Sequence, residues 1–327
     1  MSSLKEVKRR INSIKSTRKI TSAMQMVSSA KLHQAQTALT DMLPYEERLH
    51  YMLVSFIHEE KYLHVHGYPG GLAPLKQSPY VQLREIKKVA IIVMTSNSGL
   101  CGAYNEHMEK YLHTVLKEYE QIPRSDITIY PIGQKIANVA LSTGCNVCQY
   151  FIDLAIDPTY QSCSRLSRKL GMEYMRGSVD KVELLYHHFK NIGVQQLRRE
   201  RFLPFDYESV KETNPSYGRE LKGKQGLVVP QETFSAQEQD PEYYCGYLFE
   251  PSRQELIDYL LPNVLRFQLF RAILDSNASE HAARTMAMKI ATDNADDLID
   301  DLTVQYNKSR QQAITNELLD IAGGALK

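Results

Sequence analysis

The last fifty residues, 278–327, constrain the fold of this chain more than any other stretch. No Pro interrupts them, and their one Gly pair, Gly323-Gly324, stands at the end. A stripe runs through Leu274, Ala278, His281, Thr285, Met288, Thr292, Ala295, Ile299, Leu302, Tyr306, Ser309 and Ala313. Its steps alternate four and three, the seam of a left-handed coiled coil. The seam holds Ala, Thr, Ser and His as well as Leu and Ile, where an ordinary zipper is greasier. Such a seam suits a partner helix held very close, or a surface meant to slide. The helical pattern starts near Ser252, just after Pro251, is interrupted early by Pro262, and runs on to about Ala322. Its straight part spans about 90 Å at ~1.5 Å per residue. A small domain is only about 30–40 Å across, so this helix protrudes and needs a partner.

The partner is at the other end of the chain. Residues 3–59 also read as a long helix, with Leu4, Val7, Ile11 and Ile14 in steps of three and four. Ile20, Met24, Val27, Ser28, Ala30, Leu32 and Ala35 continue it, and Pro44 breaks the run. The first turns are basic: Lys5, Lys8, Arg9, Arg10, Lys15, Arg18 and Lys19 against a lone Glu6. The terminal helix carries Asp293, Asp296, Asp297, Asp300 and Asp301. Opposite charge blocks at opposite ends of one chain suit an antiparallel pair. With the blocks facing each other, the C-terminal helix overruns the N-terminus by about 25 residues, roughly 40 Å. A solitary helix with an apolar edge calls for a surrounding partner.

Net charge over the 327 residues is +1, which gives no general field for nucleic acid or membrane surfaces. The basic N-terminal block therefore reads as a solvated or partner-facing helix face. No run of 18 apolar residues offers a membrane span. The basic N-terminus lacks an apolar h-region and is helical from the start, so neither a secretory signal nor a transit peptide is expected. The five Cys (101, 145, 148, 163 and 245) are odd in number and scattered, the pattern of free thiols in a reducing compartment. Cys145 and Cys148 form a lone CxxC without a second pair at zinc spacing.

Between the helices the pattern changes. Val89–Met94 is a continuous β-branched run, typical of a buried parallel strand. The turn TSNSGLCGAY (95–104) follows, then a helix over 103–120, a strand over 127–131, a helix over 134–142, a strand over 146–151 and a helix over 159–177. Residues 181–190 and 194–202 read as a hairpin joined at Asn191-Ile192-Gly193. The expected fold class is α/β: a long antiparallel coiled coil of the N- and C-terminal helices plus a Rossmann-like open α/β domain. The segments divide as shaft helix 1–59, connecting loop 60–86, α/β domain 87–204, insertion 205–251 and shaft helix 252–327. The Gly- and Pro-rich 64–79 and the Pro-containing 205–251 read as irregular surface segments.

A strand, a Gly-containing loop and a helix N-terminus can bind phosphate. This loop offers only Gly99 and Gly102, without G-x-G-x-x-G or a P-loop Lys. His187-His188, His64/His66 and His107/His113 lack carboxylates or thiols at ligand spacing. Ser98 near His107 makes no hydrolase elbow. No catalytic residue, cofactor or metal is expected from the residues.

Three segments carry a resemblance to the gamma-subunit family of F-type ATP synthases: KEVKRRINSIKSTRKITSAMQMVSSAKL (5–32), SGLCGAYN (98–105), and ASEHAARTMAMKIATDNADDLIDDLTVQYNKSRQQAITNELLDI (278–321). The resemblance covers both ends well, the middle moderately and the two insertions hardly at all. It implies a shaft of two antiparallel helices inside a ring of three alpha and three beta subunits. A Rossmann-like foot would stand against the membrane c ring and the epsilon subunit. The implied role is the central rotor, carrying torque between the c ring and the catalytic ring in proton-driven ATP synthesis or in hydrolysis, without catalytic residues of its own. It also implies a place on the cytoplasmic side of a bacterial inner membrane, peripheral to it, with no nucleic acid and no direct membrane insertion. By position, Met24 matches a contact with the beta subunit's acidic lever. Arg284 and the cluster Arg310, Gln311 and Thr315 match contacts with the beta catch loop, and Glu317 matches more loosely. Asn97-Ser98 stands where the family more usually has Asp-Arg. Chloroplast members hold a redox Cys pair in the 205–251 region, where this chain has only Cys245, so thiol regulation is not expected. Two other classes remain beside the rotor: a coiled-coil tether, which would have a richer Leu/Ile seam, and a nucleotide-dependent enzyme, which would bind nucleotide alone.

Overall fold

The computed structural model describes residues 4–65, 78–206, 250 and 252–324. Helix α1 spans Leu4–Val65, and α5 spans Arg253–Gly324, 72 residues or roughly 110 Å of helix. Between them come β1 (Val89–Met94), α2 (Tyr104–Glu118), β2 (Ile127–Ile132), α3 (Gln134–Ser142), β3 (Asn146–Val147), α4 (Tyr160–Met175), β4 (Lys181–Asn191) and β5 (Val194–Leu203).

The five strands lie in the order β3-β2-β1-β4-β5. Strand β1 pairs in parallel with β2 and β4, β2 in parallel with β3, and β4 antiparallel with β5. All six residues of β1 are buried, as expected for a central parallel strand covered on both faces. Val89, Ile91 and Val93 pack with Met108, Leu112 and Ile136 of α2 and α3. Ala90, Ile92 and Met94 face the other way, into a core shared with α4, the far end of α1 (Leu49, Leu53, Phe56) and the start of α5 (Ile257, Leu261). The foot is therefore built around the root of the shaft.

All twelve residues of the predicted α5 stripe are buried or half-buried, while Ile290, Leu298 and Val304 between them face outward. The seam of α1 differs from the expectation in its middle. It runs Leu4, Val7, Ile11, Ile14, Arg18, Thr21, Gln25, Ser28, Leu32, Ala35, Leu39 and Met42, while Ile20, Val27 and Ala30 lie on the outer face. Heptad spacing overrides residue polarity here, because only one azimuth of α1 can meet α5. The polar seam residues pair: the hydroxyls of Thr21 and Thr292 lie 2.8 Å apart, and Arg18 bonds Asp296. The ion pair is half-exposed and contributes at most about 1 kcal/mol. These contacts fix register more than stability.

That register shortens the overrun. Thr21 opposite Thr292 places Leu4 beside about position 309, so the tip of α5 beyond the first described residue is about 15 residues, roughly 22 Å. The longer expected overrun came from centring the two charge blocks, whereas Asp296 meets the last turns of the basic block.

Neither internal proline ends a helix: α1 continues through Pro44 and α5 through Pro262. Pro44 is exposed, so the carbonyl it strands can turn to water, and seam contacts on both sides (Met42, Leu49) hold the helix together. Ser252 starts α5, its hydroxyl accepting from the Glu255 N–H at 3.2 Å. The expected strand over 146–151 is only two residues long. Gln149–Ala155 forms a 3₁₀ helix instead, whose Ile152 carbonyl accepts from the Gly133 N–H at 3.1 Å. Most of the 205–251 insertion, with Cys245, and residues 66–77 of the 64–79 segment lie outside the described residues.

Close approach at the seam is testable. Ala278 is fully buried between the helices. Ala278→Phe is expected to destabilise the purified chain by about 1–3 kcal/mol through overpacking. The outward Ile290→Ala should stay within about 0.5 kcal/mol. Urea unfolding followed by circular dichroism checks both; equal effects would contradict the seam.

Candidate functional site

In open α/β sheets, ligands bind beyond the carboxyl ends of the strands, where the strand order reverses. Here that point lies between β1 and β4, and α5 fills it. Ten of the eleven residues 272–282 are buried. The space left between Met94, Thr95, Ile132, Ser276, Asn277 and Glu280 is about 10 Å³, no more than about one water needs.

Most polar groups of this edge are committed to α5 or to one another. Asp275 accepts from the Phe189 N–H at 2.7 Å and lies 2.6 Å from Nδ1 of His188. The Ser279 hydroxyl donates to the His187 carbonyl at 3.0 Å. The Tyr104 hydroxyl lies 2.8 Å from Ser276 Oγ and 3.0 Å from its carbonyl oxygen. Asn277 donates to the Ala155 carbonyl at 3.1 Å. The first amides of α3, which could cradle an anion, are also taken. Gln134 N–H donates to Asn97 Oδ1 (2.7 Å), Lys135 N–H to the Ser96 carbonyl (3.2 Å), and Ile136 N–H to Thr95 Oγ1 (3.1 Å). Gly133 makes this approach possible. Its φ is +105°, and a Cβ there would sit 2.3 Å from the Thr95 carbonyl oxygen.

The SGLCGAYN turn is held the same way. Asn105 accepts from the Ser96 N–H at 3.1 Å and donates to Ser96 Oγ at 2.8 Å. Leu100 and Gly102 take left-handed backbone at φ 63° and 60°. A Cβ on Gly99 or Gly102 would meet nothing within 4 Å, so neither glycine is required by close packing. The loop closes on α5: Arg284 donates to Ser98 Oγ (3.0 Å), to the Ser98 carbonyl (3.3 Å) and to Glu280 (2.8 Å). Ser98 thus supplies the polar contact at a position where the residue type departs from the usual one.

A second cluster joins four elements below. Arg271 of α5 donates to Glu46 of α1 at 3.0 Å and to Glu200 of β5 at 3.4 Å, and Tyr186 of β4 donates to Glu200 at 2.6 Å. Burial raises the Glu46 carboxyl, and Arg271 pulls it back down.

The sequence-predicted contact residues fall in two places. Arg284 is nearly buried and engaged within the chain. Met24 is half-buried in the upper part of α1, outside the heptad seam. Arg310, Gln311 and Thr315 are exposed on the tip of α5, where Thr315 Oγ1 bonds only the Gln311 carbonyl four residues back. Sequence reasoning missed Arg271, Asp275, Ser276, Asn277 and Ser279. For Asp275, Ser276, Asn277 and Ser279 the signal was short polar side chains, poor helix formers, in the middle of a long helix; Arg271, a good helix former, carried none. Among the described residues, no group of three His, Cys, Asp or Glu is placed to hold a metal, and no helix is long and apolar enough to cross a membrane.

The geometry defines a class first: a two-helix shaft fixed in the ligand edge of an α/β domain, its polar groups holding rather than reacting. A family model described as ATP synthase matches residues 3–326. The ATP synthase gamma chain of Bacteroides thetaiotaomicron is 47% identical over 327 residues, spanning 100% of both chains. That of Flavobacterium johnsoniae is 37% identical, covering 99% of this chain and 98% of its own. Among solved structures, a chain of the Euglena gracilis mitochondrial ATP synthase rotor aligns over 95% of this chain and 98% of itself. Its TM-score is 0.55 at 16% identity. The chain belongs to the ATP synthase gamma chain family.

His187 gives a pH-dependent signature. It is buried, stacks on Tyr104 with ring centroids 4.2 Å apart, and neither ring nitrogen has a hydrogen-bond partner. Burial, with His107 adding repulsion, lowers its pKa to about 3. The folded state keeps the neutral ring, so its contribution is whole above 6.5 and is lost as pH falls from 6.5 towards 3. The loss approaches about 1.4 kcal/mol per pH unit for one such group. His187→Phe should flatten the stability profile between pH 6.5 and 5, checked by urea midpoints at each pH; an unchanged slope would contradict this.

The filled crevice also carries an expectation for nucleotide. Titration calorimetry of the purified chain with ATP should give no heat of binding; micromolar affinity would show that the edge is open.

Proposed function

We propose that this chain is the central rotor shaft of an F-type ATP synthase, carrying torque between a membrane c ring and a catalytic ring of alpha and beta subunits. The observation that carries the reading is the joining of a long shaft to a foot whose ligand crevice is filled by that shaft. As a gamma chain it is a non-catalytic subunit of a membrane-associated complex. In this reading 1–59 and 252–327 form the shaft, 87–204 the foot, and 60–86 and 205–251 the connecting segments. The epsilon subunit and the c ring meet the foot, and the complex lies on the cytoplasmic side of a bacterial inner membrane. The ring's three sites are made unequal by which side of one asymmetric shaft they face, and rotation changes which site is open.

The exposed residues fit that role. Ile20, Met26, Val27, Ile290, Leu298 and Val304 leave apolar side chains on the outside of the shaft. On the tip, Ile314, Leu318 and Leu319 are 48%, 61% and 65% exposed. Covering the exposed part of each stabilises by roughly 1–2 kcal/mol, which the ring supplies. Met24, Arg310, Gln311 and Thr315 are the contacts proposed with beta subunits. Arg284 contributes differently from its neighbours, through the Ser98–Gly99 loop it holds.

Arg310 can form charge-assisted hydrogen bonds with a beta carboxylate in one rotational state and lose them in the next. Such a bond is worth about 1.5–3 kcal/mol, so Arg310→Ala should lower turnover of the assembled complex about tenfold with the chain still folded. A Cys at position 319 should cross-link to an alpha or beta subunit. Cross-linking only to the c ring or epsilon would invert the orientation and overturn the reading.

A further inference from the structure

The contacts between foot and shaft are distributed unevenly between the two shaft helices. Among the described residues, helix α1 meets the foot through apolar side chains, Leu49, Leu53 and Phe56, while its Glu46 carboxylate bonds Arg271 of α5. Helix α5 meets it through a succession of directional polar bonds between 271 and 284. Apolar contact resists separation but has no preferred direction of its own. Hydrogen bonds weaken steeply when bent. The two kinds of contact therefore respond differently to a twist.

The azimuths of the α5 bonds matter as much as their number. Successive residues of a helix advance by about 100°, at 3.6 residues per turn. Counting from Arg271, Asp275 and Ser279 lie within about 80° of it, Ser276 at about 140°, and Arg284 and Asn277 at about 220–240°. Their partners are different parts of the foot: Glu200 of β5, His188 and Phe189 of β4, Tyr104 of α2, the Ser98–Gly99 loop, and the carbonyl of Ala155. The remaining sector, about 280–340°, is the seam with α1, through Leu274, Ala278 and His281. Each bond acts about 5 Å from the helix axis, the radius of a helix with side chains. Bonds spread around an axis at that radius oppose rotation in both senses.

We infer that residues 271–284 of α5 are the torsional grip through which torque passes between foot and shaft, with Arg271 as its main positioning residue, so that α5 is driven and α1 follows. Arg271 has this place because, among the described residues, it ties α5 to both α1 (Glu46) and β5 (Glu200). A twist of α5 against the sheet must break the Glu200 bond, and a twist of α5 against α1 must break the Glu46 bond. The inference rests on the rotor reading. It adds where torque enters the shaft and through which bonds.

The test is single-molecule rotation of the whole complex, with the ring fixed and a probe on the foot, reading stall torque beside bulk ATP hydrolysis. Removing the charge-assisted bonds, each about twice as strong as a neutral one, in Arg271→Met is expected to lower stall torque about twofold. Hydrolysis per assembled complex should fall less. Arg271→Lys, which can reach one carboxylate, should recover part of the torque. A merely structural role would instead reduce assembly and hydrolysis together, with torque per complex unchanged. Should Arg271→Met fail to assemble, the pair Asn277→Ala and Ser279→Ala removes two small off-axis bonds and is read in the same way. Wild-type torque in the assembled variants overturns the grip. A wild-type foot that does not turn overturns the rotor reading instead.

Discussion

The enclosure of one stretch of helix, 272–282, governs the rest of this structure. A helix buried on every side must find local partners for most of its polar side chains, since a buried polar group without one costs about 1–3 kcal/mol; Nδ1 of His281 is an exception. Asp275, Ser276 and Ser279 are buried and each is bonded to the foot. Small residues supply the rest: Ala272, Ala278 and Ala282 let the sheet and α1 approach from different sides at once. The polar, small-residue seam is thus a condition of fitting one helix between a sheet and a second helix. Above this level the enclosure ends, and Ile290, Leu298 and Val304 face outward.

The same enclosure changes what the α/β fold does. Open sheets of this kind host many chemistries at their carboxyl edge, and the fold alone decides none of them. Here Thr95, Ser96 and Asn97, placed where a ligand loop stands in nucleotide-binding relatives of this architecture, satisfy the amides of α3. The residues that could have been a phosphate loop form a collar on α5. His187 lies inside that packing, its ring stacked on Tyr104 and its two nitrogens without a protein partner.

Much of this was legible in the sequence, for a physical reason. A heptad stripe is geometry written directly into residue order, so the α5 seam was read to its last member, Ala313. The β1 run and the hairpin were equally plain, because a buried parallel strand and a tight turn leave local signatures. The α1 seam was misplaced at Ile20, Val27 and Ala30 because apolar character was followed where spacing should have been. The residues after β3 looked like a continuing strand because a 3₁₀ helix with apolar side chains has no distinct period over seven residues. The collar was invisible for a different reason. Arg271 and Glu46 are 225 positions apart, and Asp, Ser and Asn on a helix read as a solvent face until a sheet is laid against it. The exposed tip carrying Arg310, Gln311 and Thr315 was placed by resemblance.

The most direct test of the account is the structure of the whole complex resolved in several rotational positions. Superposed on the sheet (β1, β2 and β4), residues 271–284 of α5 should coincide in every position, with the tip beyond about 310 inside the alpha–beta ring each time. A rotation of 271–284 against the sheet between positions, or a tip directed at the membrane, would contradict it.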